Sequence, residues 1–236
     1  MTTAKHNFFC PDLEGKTLSE EESNHAIRVL RLSENDHITI MDGKGRTVLA
    51  KITQAHKKAL KFEPIETKDQ AKHGSYTHIA LAPTKNLDRY FFFIEKAIEI
   101  GVDRITPILC KNSERKVISH EKILKAAIVA MKQSGQGFLP EIDEMMSIDA
   151  FIRLDHNDNQ RFIAHCETDQ SKKELKNAIL PQKKAVILIG PEGDFNTDEI
   201  NLAKENKFEA VSLGESRLRT ETAGIVACHT VTLISF

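Results

Sequence analysis

The sequence has no long apolar run. No stretch approaches the roughly 20 consecutive apolar residues that a membrane-spanning helix needs. The N-terminal stretch MTTAKHNFFCPDLEG lacks the apolar core of a secretory signal. Four cysteines, at positions 10, 110, 166 and 228, are scattered without a C-x-x-C pair. These absences predict a cytoplasmic protein with reduced thiols, no membrane association and no metal site.

Two widespread nucleotide-binding motifs are missing as well. The sequence contains neither the phosphate loop G-x-x-x-x-G-K-[ST] nor the dinucleotide fingerprint G-x-G-x-x-G. We therefore predict neither ATP nor NAD as a ligand. Apolar residues make up 40% and charged residues 28% of the 236 residues, as in an ordinary globular protein with one large or two small domains.

Charge is unevenly distributed, although the formal net charge is only -1. Residues 1–72 carry 12 Lys and Arg against 11 Asp and Glu, residues 85–132 carry 10 against 6, and residues 141–209 carry 9 against 15. A basic middle region is typical of a surface that follows a phosphate backbone, and equally of a solvated helix face. Charge alone does not decide between the two.

The first 72 residues predict a small, mostly β domain. HITIMDGKGRTVLAKITQ (37–54) alternates apolar and polar residues on both sides of Asp42-Gly43, which is the pattern of a hairpin with a tight turn. A short helix is predicted over 19–32, and KALKFEPIE predicts a further strand. The polar segment TKDQAKHGS has a glycine and no large apolar residue, so we predict a linker there.

From residue 73 onward, strand patterns alternate with helix patterns. Such alternation predicts an α/β domain with a mostly parallel sheet over 73–236. Asp88 is the predicted N-cap of the first helix and Gly101 its end, whereas Asn196 and Glu199 predict a later helix start. The predicted strands are 76–82, 104–109, 161–166, 184–190 and 208–214, and the predicted helices are 87–101, 119–135, 171–180, 197–206 and 220–235.

Three loops follow strands of this predicted sheet, namely HCETDQS (165–171), GPEGDFN (190–196) and LGESRLRTET (213–222). Ligands of open parallel sheets bind beyond the carboxyl ends of the strands, and glycines let a backbone approach them closely. The loops therefore predict a ligand pocket with Glu192, Arg217 and Arg219 nearby. Simpler interpretations stay open, with Glu192 as a charge at the next helix N-terminus and the arginines as surface charges.

The order of these motifs carries a family resemblance. LIGPEGDF followed by LGESRLRTETA, with EKAIEIGVDRITPIL and MKQSG upstream, resembles the RsmE family. NHAIRVLRLSENDHITIMDGKG (24–45) resembles the N-terminal PUA-like β-barrel of that family. Its members are SPOUT-class methyltransferases that modify N3 of a uridine in 16S rRNA of the small subunit. The resemblance implies a PUA-like β-barrel RNA-binding domain over 1–72 and a SPOUT methyltransferase domain over 73–236, with an α/β trefoil knot.

The same resemblance implies S-adenosylmethionine (SAM) as the cofactor, and a homodimer with the pocket near the subunit interface. Backbone groups of the three loops would line the adenine slot. Glu192 or Glu167 would bind the ribose hydroxyls or the cationic end of SAM, and the choice between them is open. The implied cofactor-binding residues are His165, Glu167, Gly190, Pro191, Glu192, Gly193, Leu213, Gly214, Ser216, Leu218 and Thr220.

Arg219 is the candidate catalytic residue. N3 of uracil must lose its proton before it attacks a methyl group, and a cation beside O2 or O4 stabilises the resulting anion. Alternatively, Arg219 holds a phosphate or the loop itself, and His165 is an unsupported candidate for a general base. The implied partner is small-subunit ribosomal RNA, either naked or within the 30S subunit.

RNA binding would involve both predicted domains. Arg28 and Arg31 are spaced to share a helical face, and phosphate contacts of this kind make binding depend on salt. The candidate RNA-binding residues are His25, Arg28, Arg31, Lys85, Arg89, Arg115, Lys116 and Lys132.

Several positions depart from the family pattern. Lys5 and His6 stand where adjacent arginines are familiar, and Ser216 stands where an arginine is common. Lys132 replaces the usual acidic residue, and Asp194 stands where glycine is usual. The cofactor motifs are otherwise intact, so the departures indicate a divergent branch whose RNA contacts differ.

Three other hypotheses compete with this one. In the first, the chain is a SPOUT methyltransferase that acts on another RNA or base. In the second, it is a catalytically inactive RNA-binding assembly factor. In the third, it is a nucleotide-binding α/β protein unrelated to methylation. Product analysis separates the first from a 16S rRNA enzyme. SAM binding tests the other two, and the missing phosphate loop counts against the last.

Overall fold

The structure is a computed structural model that describes residues 6–72, 74–156, 158–167, 172–181 and 183–235. The chain forms two compact units, each with its own hydrophobic core. One unit comprises Met1–Lys72 with Ile128–Leu139, and the other comprises His73–Ala127 with Pro140–Phe236.

The first unit is built on a four-stranded sheet of β1 (Asn7–Phe9), β2 (His37–Met41), β3 (Arg46–Gln54) and β4 (Lys61–Asp69), in that order. β1 runs parallel to β2, and the other neighbours are antiparallel. The predicted hairpin is confirmed. Gly43 adopts a φ of 73°, which glycine tolerates, while the Asp42 side chain accepts hydrogen bonds from the backbone N–H groups of Lys44 and Arg46.

The predicted N-terminal helix is shorter than expected. Helix α1 covers only Glu20–Asn24, with the Ser19 side chain as its N-cap, and it continues as one π-helical turn over His25–Val29. Arg31 lies beyond this turn with a left-handed φ of 56°. The prediction that Arg28 and Arg31 share a helical face is therefore wrong, because the helix ends between them.

The second unit contains a sheet of eight strands of different lengths. Every neighbouring pair of these strands is parallel. The order is β10-β12-β9-β11-β5-β6-β7, with β8 also beside β6. The predicted parallel α/β sheet is thus confirmed. The strands are β5 (Thr77–Leu81), β6 (Arg104–Leu109), β7 (Glu141–Ile142), β8 (Met146–Ser147), β9 (Gln160–Ala164), β10 (Lys173–Glu174), β11 (Ala185–Ile189) and β12 (Glu209–Ser212).

Six helices alternate with these strands, namely α2 (Leu87–Ile100), α3 (His120–Ser134), α4 (Ile148–Ile152), α5 (Leu175–Ala178), α6 (Thr197–Glu205) and α7 (Thr220–Ser235). Asn86, and not Asp88, caps α2, since its side chain accepts from the Asp88 N–H, and Gly101 ends that helix as predicted. Asn196 and Glu199 form the capping box of α6. Within the described residues, no helix is both long and apolar enough to cross a membrane.

The helix predicted over 171–180 is largely wrong. Ser171 lies outside the described residues, Lys173–Glu174 form strand β10 beside β12, and only the single turn of α5 is helical. Leu175 is the one residue of α5 that is buried. Such a segment has little apolar surface to hold a long helix against the core, so pairing with the sheet edge decides its conformation.

A polar network is buried among β5, β6 and the residue that follows β7. The Arg104 guanidinium donates two hydrogen bonds of 2.8 Å to the Asp143 carboxylate, which also accepts from the Thr106 hydroxyl. The His78 ring lies 2.7 Å from the Thr106 oxygen. These groups occupy the half of the sheet away from the carboxyl-end loops, which indicates a structural role.

Helix α7 packs tightly against the sheet at Gly224. A Cβ at this position would lie 2.4 Å from Leu81 Cδ1 and 2.7 Å from the Phe93 ring. We expect Gly224→Ala to lower the free energy of unfolding by about 1 to 2 kcal/mol in urea titrations, because overpacking outweighs the gain in helix propensity. Gly74→Ala is the control, since no atom lies within 4 Å of its Cβ. Equal stability of the two variants would contradict this packing.

Candidate active site

Two adjoining cavities lie at the carboxyl edge of the parallel sheet. Their volumes are about 340 and 350 Å³. Both are lined by residues that follow β9, β11 or β12, which is where the sequence predicted a pocket. Both are lined by Ala164, Cys166, Arg217, Leu218 and Ala223, so they form one continuous candidate site. Each volume lies within the range of about 300 to 1,000 Å³ that is typical of small-molecule pockets.

Most of the predicted cofactor residues line these cavities. The first is lined by Gly190, Pro191, Glu192, Leu218 and Thr220, together with Arg219. The second is lined by His165, Leu213, Gly214, Ser216 and Leu218. Gly193 and Glu167 are not among the lining residues of either cavity.

Glu192 ties two loops of the edge together. Its Oε1 accepts a 3.0 Å hydrogen bond from the Lys85 N–H in the loop after β5. The N-terminus of α6 is capped by Asn196 and Glu199 instead. The alternative in which Glu192 caps this helix is therefore wrong. A carboxylate between two glycines is used here to hold the pocket wall against a neighbouring loop.

Glu167 points towards the start of α6. Its Oε1 accepts a 3.2 Å hydrogen bond from the Thr197 hydroxyl. Of the two carboxylates left open as cofactor ligands, Glu192 lines the cavity and Glu167 does not. The geometry therefore favours Glu192.

Asn112 also supports the wall, from the loop after β6. Its amide donates 3.1 Å hydrogen bonds to the backbone oxygens of Gly193 and Asp194. Sequence reasoning missed Asn112, because the residues between β6 and α3 carry no motif that links them to GPEGD. Asp194 was missed as a lining residue although it lies within the second of the three loops.

The imidazole of His165 is buried at the wall of the second cavity. Its residue is 7% exposed, and neither ring nitrogen has a hydrogen-bond partner among the described residues. Burial lowers the pKa of this ring, and the nearby Lys172 ammonium lowers it further. The ring is therefore neutral at pH 7 and offers one donor and one acceptor at the wall of the second cavity.

The loop after β12 supplies the opposite wall. Gly214 adopts a φ of 121°, a conformation that side chains of L-residues rarely adopt, and no atom lies within 4 Å of a Cβ built on it. Glycine is needed there for the backbone path. This path brings Arg217 to both cavities and Arg219 to the first.

Arg217 and Arg219 are both exposed. Neither guanidinium forms an ion pair within the part of the chain that the structure describes. The Arg219 backbone oxygen accepts from the Ala223 N–H, so this residue stands directly before α7. Two cations at the edge of a ligand-sized cavity are suited to an anionic partner.

The remaining basic candidates of this unit are partly engaged in local contacts. Lys85 Nζ pairs with Glu114 at 2.8 Å, and Arg115 donates to the Lys85 backbone oxygen. Arg89 Nε lies 3.9 Å from the buried Glu221 carboxylate. Lys116 lines a separate groove beside α4 and α6.

In the first unit, His25, Arg28 and Arg31 are exposed. Lys132 differs from them, because its ammonium pairs with Glu22 and only 19% of its side chain is exposed. The basic residue at this position is used inside the unit, which makes Lys132 the weakest of the RNA-binding candidates.

The structure indicates no metal centre in the described residues, where no group of three or more His, Cys, Asp or Glu side chains is close enough to hold an ion. All four cysteines are free thiols, and Cys166 alone is exposed.

Comparison with known proteins gives consistent matches. Residues 72–232 match the family described as RNA methyltransferase domain, and residues 18–65 match the RNA methyltransferase PUA domain. Ribosomal RNA small subunit methyltransferase E of Buchnera aphidicola is 30% identical over 217 residues, which cover 89% of this chain and 84% of the relative.

Solved structures agree with these matches. A probable rRNA-methyltransferase from Porphyromonas gingivalis is 36% identical, with a TM-score of 0.89 over 98% of both chains. A ribosomal RNA small subunit methyltransferase E from Neisseria gonorrhoeae bound to S-adenosyl methionine is 26% identical, with a TM-score of 0.85 over 98% of both chains.

An α/β unit with a ligand pocket beyond its parallel strands, preceded by a PUA domain, is the organisation of an RNA methyltransferase, and the matches assign this chain to that class. Within the class, the chain belongs to the ribosomal RNA small subunit methyltransferase E family. The resemblance seen in the sequence motifs is confirmed, and so is the predicted combination of a parallel α/β unit with a PUA-like domain.

Proposed function

We propose that the protein is a SAM-dependent methyltransferase that modifies N3 of a uridine in 16S rRNA of the small subunit. The observation that carries the proposal is the pair of adjoining cavities at the sheet edge, with Arg217 and Arg219 beside them. A SAM-bound relative of the same family supports the cofactor. The uridine N3 position rests on the motif resemblance.

The residues present fit SAM. His165 has two buried ring nitrogens without partners among the residues that the structure describes, and a polar ligand in the cavity would satisfy them. Gly190, Pro191 and Leu218 offer backbone groups and apolar surface for an adenine ring. Glu192 supplies negative charge beside a cofactor whose bound form provides an electrophilic methyl group on a sulfonium. We therefore propose that the two cavities together form the cofactor site, with the residues that line either of them as its walls.

Arg219 has the role of stabilising charge on the base. Loss of the N3 proton leaves negative charge on uracil, and a guanidinium placed beside the base stabilises that charge. Arg219 lines the cavity without an internal ion pair among the described residues, so its charge is available to a substrate. The enzyme otherwise acts by aligning donor and acceptor.

Residues 1–72, which make up most of the first unit, are the proposed RNA-binding domain, and residues 73–236 are the proposed methyltransferase domain with a trefoil knot. Exposed His25, Arg28 and Arg31 are candidates for phosphate contacts. We propose that the protein acts in the cytoplasm on 16S rRNA, within the 30S subunit or before its assembly.

A homodimer is also part of the proposal. Phe92 on α2 and Leu233 on α7 are 48% and 65% exposed, and these two helices pack together. Large exposed apolar side chains on adjacent helices are suited to burial against a second copy. Sedimentation of the purified protein tests this part.

The test of the function is 3-methyluridine in 16S rRNA from cells that lack the gene. We expect the nucleoside to disappear from the mass spectrum of digested rRNA and to return when purified protein and labelled SAM are added. Parallel reactions with deproteinised 16S rRNA and with 30S subunits distinguish the two substrates. Persistence of 3-methyluridine without labelling of either RNA would refute the proposed function.

Cys166 offers a separate test of the cofactor site. Its thiol is exposed and lines both cavities, whereas Cys10, Cys110 and Cys228 are buried. SAM at about ten times its dissociation constant is expected to slow iodoacetamide labelling of Cys166 about tenfold, because only the free protein reacts. Mass spectrometry of the tryptic peptide measures the rate, and Cys166→Ser is the blank. Unchanged labelling despite saturation with SAM would place the cofactor elsewhere.

A further inference from the structure

Asp194 has an uncommon backbone conformation. Its φ is 61°, in the left-handed region, which glycine adopts more readily than residues with a side chain. Conformations of this kind persist in residues other than glycine when the surroundings over-determine them. We therefore expect the Asp194 side chain to form contacts that offset this strain.

Those contacts engage each polar atom of Asp194. Its N–H donates to the Pro191 oxygen at 2.9 Å, and its backbone oxygen accepts from Asn112. Oδ1 accepts from the Phe195 N–H at 2.8 Å, and Oδ2 accepts from the Cys166 N–H at 2.7 Å. The bond to Cys166 is the long-range one among the two carboxylate bonds, since it spans 28 residues.

This bond joins two walls of the same cavity. Cys166 follows β9 and Asp194 follows β11, and the two strands are neighbours in the sheet. Both residues line the first cavity, together with Gly190 and Pro191. A hydrogen bond to a carboxylate is stronger than one between neutral groups, so it resists separation of the loops.

We propose that Asp194 is a positioning residue of the cofactor site. Its carboxylate holds the loop after β9 against the loop after β11 and thereby sets the cavity to the shape that SAM fits. A glycine at this position takes the same φ without strain but has no such bond. The inference rests on the proposed function, because it assigns a role within the SAM site.

Asp194→Gly removes the hydrogen bond to Cys166 and relieves the backbone strain at the same time. Glycine adopts the left-handed φ without strain, and this gain offsets part of the lost hydrogen bonding. Thermal stability is therefore expected to stay within about 2 °C of the wild type. Loss of a charge-assisted hydrogen bond is expected to raise the dissociation constants of SAM and S-adenosylhomocysteine about tenfold in calorimetry. Turnover at saturating SAM is expected to change less than about twofold, because no group that touches the base is removed.

Exchange of the Cys166 amide proton, followed by NMR without cofactor, is the second readout. We expect exchange to be about tenfold faster in Asp194→Gly, because its acceptor is lost. Asp194→Asn keeps an oxygen acceptor and tolerates the left-handed φ, so it is expected to restore part of both properties. Lys207→Gly is the matched control, since Lys207 has a φ of 66° and lines neither cavity.

The outcomes distinguish the proposal from the function on which it rests. Faster amide exchange with weaker SAM binding in Asp194→Gly, but not in Lys207→Gly, supports the positioning role. Unchanged SAM affinity overturns it, whether or not amide exchange changes. A wild-type protein that binds no SAM overturns the proposed function, and the positioning role with it, whereas wild-type binding with normal affinity in Asp194→Gly refutes the positioning role alone.

Discussion

Arg219→Ala is expected to slow methyl transfer about 100-fold or more at saturating SAM and RNA. Loss of a single donor that stabilises developing negative charge costs about this factor in enzymes that use such donors. SAM affinity is expected to remain within about threefold of the wild type, because Arg217 and the glycine loops still line the cavities. Single-turnover labelling of 16S rRNA with SAM in excess measures the rate, and calorimetry measures the affinity.

Arg217→Ala is the matched control for Arg219. Arg217 lies two residues earlier, is also exposed, and lines both cavities. We expect its loss to weaken binding of SAM or RNA while the rate at saturation falls much less. Arg219→Lys keeps a positive charge without the planar fork, so it is expected to retain more activity than Arg219→Ala. Full activity of Arg219→Ala at saturating RNA would eliminate the proposed role of Arg219. A large loss of rate in Arg217→Ala would then show that Arg217 has this role instead.

Much of the fold is predictable because apolar periodicity and caps act locally. The strand predicted over 104–109 and the helix predicted over 220–235 match β6 and α7 residue for residue. β11 is buried along its whole length and was visible as a continuous apolar run. The capping box of α6 was visible as Asn196 and Glu199, because the two side chains bond to each other's backbone within one turn.

The sheet edges were less predictable for a physical reason. β7, β8 and β10 are two residues long, and each is defined by pairing with a longer strand. Two residues carry no periodicity of their own. Over 171–180 the sequence favours a helix, but pairing of Lys173–Glu174 with β12 overrides this local preference in so short a segment.

The location of the candidate site could be predicted, whereas the partners of its side chains could not. The parallel order of β9, β11 and β12 brings three loops to one edge whatever their detailed conformation. Glu192 instead depends on Lys85, which is 107 residues away, and Lys132 depends on Glu22 at a separation of 110. Only the folded chain determines contacts of such sequence separation.

The polar network of His78, Arg104, Thr106 and Asp143 makes the stability of the fold depend on pH. Burial alone would raise the pKa of Asp143, but hydrogen bonds from Arg104 and Thr106 lower it below its ordinary value. The ionised Asp143 carboxylate stabilises the fold at pH values above the ordinary pKa of Asp. This stabilisation is lost as the pH falls through the lowered pKa of Asp143. His78 behaves differently, because burial and the Arg104 charge lower the pKa of its ring to about 3.

The protein is expected to lose stability as pH falls from about 6 to about 4, by about 1.4 kcal/mol per pH unit for each histidine that stays neutral only in the fold. The unfolded His78 takes up a proton near pH 6.5, whereas the folded ring does so only near pH 3. The unfolded state therefore binds the additional proton throughout this window. His156 and His165, whose pKa values burial also lowers, contribute with the same sign.

Urea titrations at several pH values isolate the contribution of His78. His78→Gln removes one titrating group, so the slope of unfolding free energy against pH is expected to fall by about 1.4 kcal/mol per pH unit, whatever the loss of stability at pH 7. His229→Gln is the control, because His229 is exposed on α7. An unchanged slope in His78→Gln would mean that His78 is protonated in the folded protein. The network would then hold a second cation beside Arg104, which Asp143 and the more exposed Glu141 would have to balance.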